Sequence, residues 1–206
     1  MLIFFKENLV MFSVPKTGTT SYELALRHRA DIILAGRRKH TNVSFYQRKL
    51  APFLRSAYSL TPERMAVIRH PLEHMRSWYR YRSRDELEGQ PNSTKGLSFD
   101  EFIEAALEDD PPPFAKVGSQ QGFLIMAKGQ VPVHHLFAYE SQPKIRGFLE
   151  KRFQTELKLK QYNVSPDLPA PISAEIKARL HEKRAPEFAL YEQVQAADGY
   201  LRQVLD

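Results

Sequence analysis

Apolar residues in the first third of the chain fall into short continuous runs separated by turn residues. Residues 2–5 form one run, Glu7 and Asn8 offer a turn, and residues 9–14 form a second run. Runs of that length predict strands, the second of the kind buried on both faces of a parallel sheet. A Gly/Thr-rich loop follows, then a helical stretch over 22–28 and a further strand over 31–35. Strand–loop–helix–strand is the unit from which doubly wound α/β sheets are built.

The pattern then alternates between helical and strand-like periods. Leu50, Phe53 and Leu54 supply the apolar face of a helix over 45–56, and residues 64–68 predict another parallel strand. Pro71 occupies a first helical position, where its missing N–H costs nothing. Leu72, Met75 and Tyr79 carry that helix to about Arg82 at core spacing. Residues 84–97 are polar and rich in breakers, which predicts a mobile surface loop. Ser98, with Glu101 three positions on, forms a capping box for a helix over 99–108, which Pro111–Pro113 terminates. Further helices are expected over 120–126, 145–153, 175–182 (from Ser173) and 187–194, and a strand over 134–139. An extended, proline-marked connector spans 158–172. No internal repeat or low-complexity segment interrupts the series, so residues 1–206 read as one α/β domain.

Composition narrows the class. The chain has 206 residues, 42% hydrophobic and 26% charged, with 13 Phe and 9 Tyr to build a core. That excludes wholesale disorder. With no cysteine, disulfides and thiolate metal sites are excluded, and a reducing cytoplasm is the expected compartment. The N-terminal apolar run is broken by Lys6 and Glu7, too short to span a bilayer and without signal-peptide features. A soluble chain without membrane insertion is expected. The net charge of +6 and isoelectric point near 9.5 favour an anionic partner.

The loop Val14-Pro15-Lys16-Thr17-Gly18-Thr19-Thr20-Ser21 joins a buried strand to a helix. Free amides and the dipole at a helix start attract anions. Here the hydroxyls of Thr17, Thr19, Thr20 and Ser21 and the ammonium of Lys16 add donors, and Gly18 lets the backbone approach closely. An ordinary capped turn needs fewer hydroxyls than this. The nucleoside-triphosphatase loop places Lys after its last Gly and requires a metal-binding acid elsewhere. In this chain Lys16 precedes Gly18, and the later strand ends in Arg69-His70. The pattern argues against ATP or GTP hydrolysis and predicts no metal.

These segments resemble the PAPS-dependent sulfotransferases. Pro15-Lys16-Thr17-Gly18-Thr19-Thr20 looks like their 5′-phosphosulfate loop. Val67-Ile68-Arg69-His70-Pro71, with Ser77 eight residues after Arg69, looks like their 3′-phosphate motif. Weaker likenesses to the carbohydrate and bacterial branch lie at 119–124, 136–140 and Asn163-Val164-Ser165, and the Arg-Lys-Gly-rich C-terminal segment of cytosolic members is missing. The resemblance implies a three-layer P-loop-like fold with a central, mainly parallel sheet flanked by helices. It also implies PAPS as sulfuryl donor, with adenosine 3′,5′-bisphosphate as product, held by Lys16 through Ser21, Arg69 and Ser77. The acceptor would be a hydroxyl or amine of a carbohydrate or other small metabolite. Lys16 is expected to stabilise charge on the leaving phosphate, and His40, in the basic turn after the third strand, to act as base. A structural role for His40 competes with that reading.

Other residues are weighed more plainly. His70 is a second base candidate, although N-capping of the helix at Pro71 explains it equally well. His134 and His135 alternate faces of a strand and do not make a metal pair. Arg37, Arg38 and Lys39 read as a solvated basic turn, and Arg76, Arg80, Arg82 and Arg84 as a solvated helix face. Two alternatives stand beside sulfotransfer: a non-catalytic nucleotide- or nucleic-acid-binding protein, and a kinase-like phosphotransferase. The first lacks aromatic–basic interleaving or a helix-turn-helix, so no nucleic-acid partner is expected.

Overall fold

The two opening apolar runs form a hairpin. β1 (Leu2–Phe4) and β2 (Leu9–Met11) pair antiparallel, Leu2 opposite Met11, across a turn in which Asn8 takes a φ of 48°. The computed structural model describes residues 1–160 and 166–205; the Asn163-Val164-Ser165 stretch lies outside them. After β2 come α1 (Thr19–Leu26) and β3 (Ile32–Ile33). A composite helix follows: α2 (Val43–Phe45), a π-helical turn (Tyr46–Leu50) and α3 (Ala51–Tyr58). Asn42 caps it by accepting the Phe45 N–H at 2.8 Å, which starts it two residues earlier than its apolar spacing indicates.

β4 (Glu63–Ile68) leads directly into α4 (Pro71–Arg82), with Pro71 in its first turn. α5 (Phe99–Ala106) starts with the expected capping box: Ser98 Oγ accepts from Glu101 N, and Glu101 accepts from Ser98 N. α6 (Gln120–Leu124), β5 (His135–Ala138), α7 (Gln142–Phe153), α8 (Ala174–Lys183), α9 (Ala185–Ala196) and β6 (Tyr200–Arg202) complete the series.

The six strands lie in the order β3-β1-β2-β4-β5-β6. β2, β4 and β5 are parallel neighbours. β1 runs against both β2 and β3, and β6 against β5. The sheet is therefore mixed, with β2, β3, β4 and β5 pointing one way. The expected β2–α1–β3 unit is present, but β1 lies between its two strands, and only two residues of the predicted 31–35 strand join the sheet.

Alternation along the strands builds the layers. Ile3, Val10, Ala66, Ile68 and Leu136 pack on one face with residues of α2, α3, α6 and α9. Leu2, Leu9, Met65, Val67 and Phe137 pack on the other with Tyr22 and Leu26 of α1 and Ile145, Leu149 and Phe153 of α7. A third cluster joins α4 to α5, α8 and Phe188 of α9. The result is an α/β fold with a central sheet flanked by helices. Among the described residues no helix is long and apolar enough to cross a membrane.

Two solvated readings are corrected by the packing. Arg82 is buried, its guanidinium donating to the carbonyls of Pro113, Phe114 and Lys116. Arg76 and Arg80 donate to Ala170 and Leu168. Long side chains thus tie distant connectors to α4 by satisfying carbonyls that have no helix or sheet partner. The polar 84–97 segment is likewise stitched down, since buried Thr94 donates to the Tyr79 carbonyl at 2.8 Å and Tyr79 Oη donates to Leu97 at 2.6 Å.

Candidate functional site

The loop between β2 and α1 holds two residues in the left-handed region: Lys16 at a φ of 62° and Gly18 at 68°. Such conformations persist where surrounding contacts enforce them. Ser13, Val14 and Pro15 each have a carbonyl accepting from a side chain: His40 Nδ1 at 2.7 Å, Thr17 Oγ1 at 2.9 Å and His74 Nε2 at 3.1 Å. Packing also demands glycine at position 18. A Cβ there would stand 2.6 Å from the ring of Tyr139.

A cavity of about 870 Å³ opens over this loop at the C-terminal ends of β2, β4 and β5, where open α/β sheets bind ligands. Lys16, Gly18, Thr19, Thr20, Ser21, His40, Arg69 and Ser77 all line it. Two motifs about 50 residues apart in sequence thus meet in one concavity. Thr17 is the exception: it is buried, and its hydroxyl closes the turn onto Val14 instead of facing the cavity.

Arg69 is set by its backbone. Gln120 Oε1 accepts the Arg69 N–H at 2.7 Å, and Gln120 Nε2 donates to the Arg69 carbonyl at 2.8 Å. Buried Glu187 in turn accepts from both the backbone and side-chain amides of Gln120. The guanidinium lies 4.6 Å over the Tyr139 ring, and among the described residues its buried Nε has no hydrogen-bond partner. A buried, permanently charged donor without an acceptor is costly, and an anion is the ligand chemistry that would relieve that cost.

Lys16 reaches back over α4, its ammonium 4.2 Å from the Tyr81 ring and 5.9 Å from Trp78. Burial, then the cations of Arg84 and Arg69, lowers its pKa to about 8. His40 presents Nδ1 to a carbonyl, which can only accept, so Nδ1 carries the proton and Nε2 keeps its lone pair. Burial, reinforced by Lys39, pushes the imidazole pKa below its ordinary value despite the Ser13 bond. The ring is neutral at pH 7 and basic at Nε2. Lys39 is more than a solvated turn residue: its ammonium donates to Thr20 Oγ1 at 3.2 Å and pairs at 2.9 Å with Glu23, which is buried.

The remaining histidines find other employment. His70 packs between Phe188 and Tyr191, and its side chain does not cap α4. Glu140 braces this corner, accepting from His70 N at 3.2 Å and Tyr191 Oη at 3.0 Å. At the opposite end of the sheet His134 lies against Arg64, while His135 contacts Tyr200 and Glu63. Sequence reasoning assigns no site role to four residues that shape the site: His74 within the Arg69–Ser77 segment, Gln120 and Tyr139 within the 119–124 and 136–140 likenesses, and Lys39 in the basic turn. His74 sits on the core side of α4 at i−3 from Ser77, a spacing that does signal a shared helix face.

No protein-family model matches the chain, and no curated protein or solved structure matches it either.

Proposed function

We propose that this chain is a PAPS-dependent sulfotransferase with a P-loop-like fold, acting in a cytoplasm on a hydroxyl or amine of a carbohydrate or other small metabolite. The observation that carries the reading is the convergence of both anion motifs on one cavity. Lys16 and the α1 start line it together with Arg69 and Ser77, and among the described residues the Arg69 Nε lacks an acceptor.

When bound, PAPS supplies an activated sulfuryl group on its 5′-phosphate. Lys16, Thr19, Thr20 and Ser21 would hold that end, aided by the loop amides, and would stabilise the charge that collects there. Arg69 and Ser77 would hold the 3′-phosphate, the guanidinium fork suiting its geometry. His40 Nε2 takes the proton of the acceptor hydroxyl or amine, a task suited to a neutral imidazole. No residue in the reading requires a metal. The cysteine-free composition supports the compartment.

Two measurements test this. Adenosine 3′,5′-bisphosphate without Mg²⁺ should raise the melting temperature, and a response only to ATP with Mg²⁺ would refute the reading in favour of phosphotransfer. Labelled sulfate should pass from PAPS to a member of a panel of glycans, lipids and small alcohols.

A further inference from the structure

The loop of the proposed donor site is held by side chains from within it and from outside. Three successive carbonyls, those of Ser13, Val14 and Pro15, each accept from a side chain. In a trans peptide the N–H points away from the C=O across the same plane. A carbonyl drawn to one side therefore turns the next amide to the other. For the Pro15 carbonyl that amide belongs to Lys16, whose φ of 62° is of the kind that lets successive amides converge on one anion.

The Pro15 carbonyl is held by His74. That side chain is 2% exposed, on the second turn of α4. Its Nε2 lies 3.1 Å from the Pro15 oxygen, so the proton is on Nε2, while Nδ1 has no partner among the described residues. Burial lowers the ring's pKa to about 3, which keeps this donor in one state across the working pH range. A leucine would fill the same space without an orphaned nitrogen. Among the described residues the one polar contact the ring makes is the one to the loop, and an unpartnered buried nitrogen is tolerated for it.

We propose that His74 is a positioning residue: from α4 it holds the Pro15 carbonyl and thereby aims the Lys16 amide of the anion loop into the cavity. The identity of the anion rests on the sulfotransferase reading; the positioning role does not. Because Ser77 lies three residues further along α4, the same helix registers both halves of the site against each other.

The test separates the two halves. Wild type, H74Q and H74L are titrated calorimetrically with adenosine 5′-phosphosulfate, which engages the loop, and with adenosine 3′-monophosphate, which engages Arg69 and Ser77. H74L should lose about ten- to hundredfold in affinity for the 5′ probe, as for one hydrogen bond to a charged group, and stay within about twofold for the 3′ probe. H74Q, whose amide nitrogen reaches nearly where Nε2 lies, should recover most of the loss. Equal losses for both probes, or none for the 5′ probe, overturn the proposal. If H74L does not fold, H74N, whose amide stops one bond short, takes its place under the same outcomes. Wild type that binds neither probe refutes the sulfotransferase reading instead, and the His74 comparison is then decided with inorganic phosphate.

Discussion

Raising the pH from 7 to 9 should loosen the grip on adenosine 3′,5′-bisphosphate through Lys16. Its ammonium is buried against Tyr81 and shares the cavity with Arg69, and its pKa stands at about 8 in place of 10.5. The protonated fraction therefore falls from about nine-tenths at pH 7 to about one-tenth at pH 9. A phosphate beside the ammonium restores the pKa upward, so affinity tracks that fraction and should drop about tenfold over the interval. The ligand's own phosphates ionise near pH 6 and do not titrate in this window. Unfolding does not mimic the effect. A lysine whose folded pKa lies below its unfolded value leaves the unfolded chain holding more protons between about pH 8 and 10.5, so its contribution to stability rises with pH there. Calorimetric titration at half-unit pH steps measures the slope. Lys16→Arg keeps its charge throughout and should flatten the curve, as should Lys16→Met at lower affinity. Wild-type affinity that is constant from pH 7 to 9, or a K16R curve that falls in parallel, would show that Lys16 does not contact the bound phosphate.

Further outcomes follow from other contacts in the structure. Gly18→Ala meets a left-handed φ costing about 1–2 kcal/mol and drives a methyl into Tyr139, the ring beneath Arg69; chemical denaturation should show lost stability and titration a weakened 3′ probe, and an unaltered protein refutes the packing argument. His40→Ala should lower kcat by about 10²- to 10⁴-fold with adenosine 3′,5′-bisphosphate affinity kept. In wild type the acid limb of kcat/KM should lie below pH 6.5, because His40 is lowered from that value; a limb above it would place the base elsewhere. Ser98→Ala removes the capping box of α5 at about 1 kcal/mol, which for a chain of this size is a melting shift of roughly 2–4 °C; a scan with no shift rules that contribution out.

Local chemistry was legible where a few neighbouring residues decide it. The capping box at Ser98, the Pro71 helix start, the β1–β2 hairpin and the turn closed by Thr17 before α1 all depend on groups within a turn or two of the backbone they satisfy. The gathering of Lys16, Arg69, Ser77 and His40 also followed from sequence, because strand ends and helix starts have fixed places in an α/β sheet. What the sequence left undecided depends on which distant groups become neighbours. β1 entered between β2 and β3, and β6 is a three-residue edge strand that pairs with β5. Arg82 became interior because the 113–116 carbonyls needed donors. Thr17 turned inward to close its own turn, and His74 reached the Pro15 carbonyl across 59 positions of chain. Sequence alone determined which residues carry donor groups suited to an anion and where the chain turns. The tertiary structure decided which of them face the cavity, because every buried carbonyl and amide must find a partner and the nearest one in space is seldom the nearest in sequence.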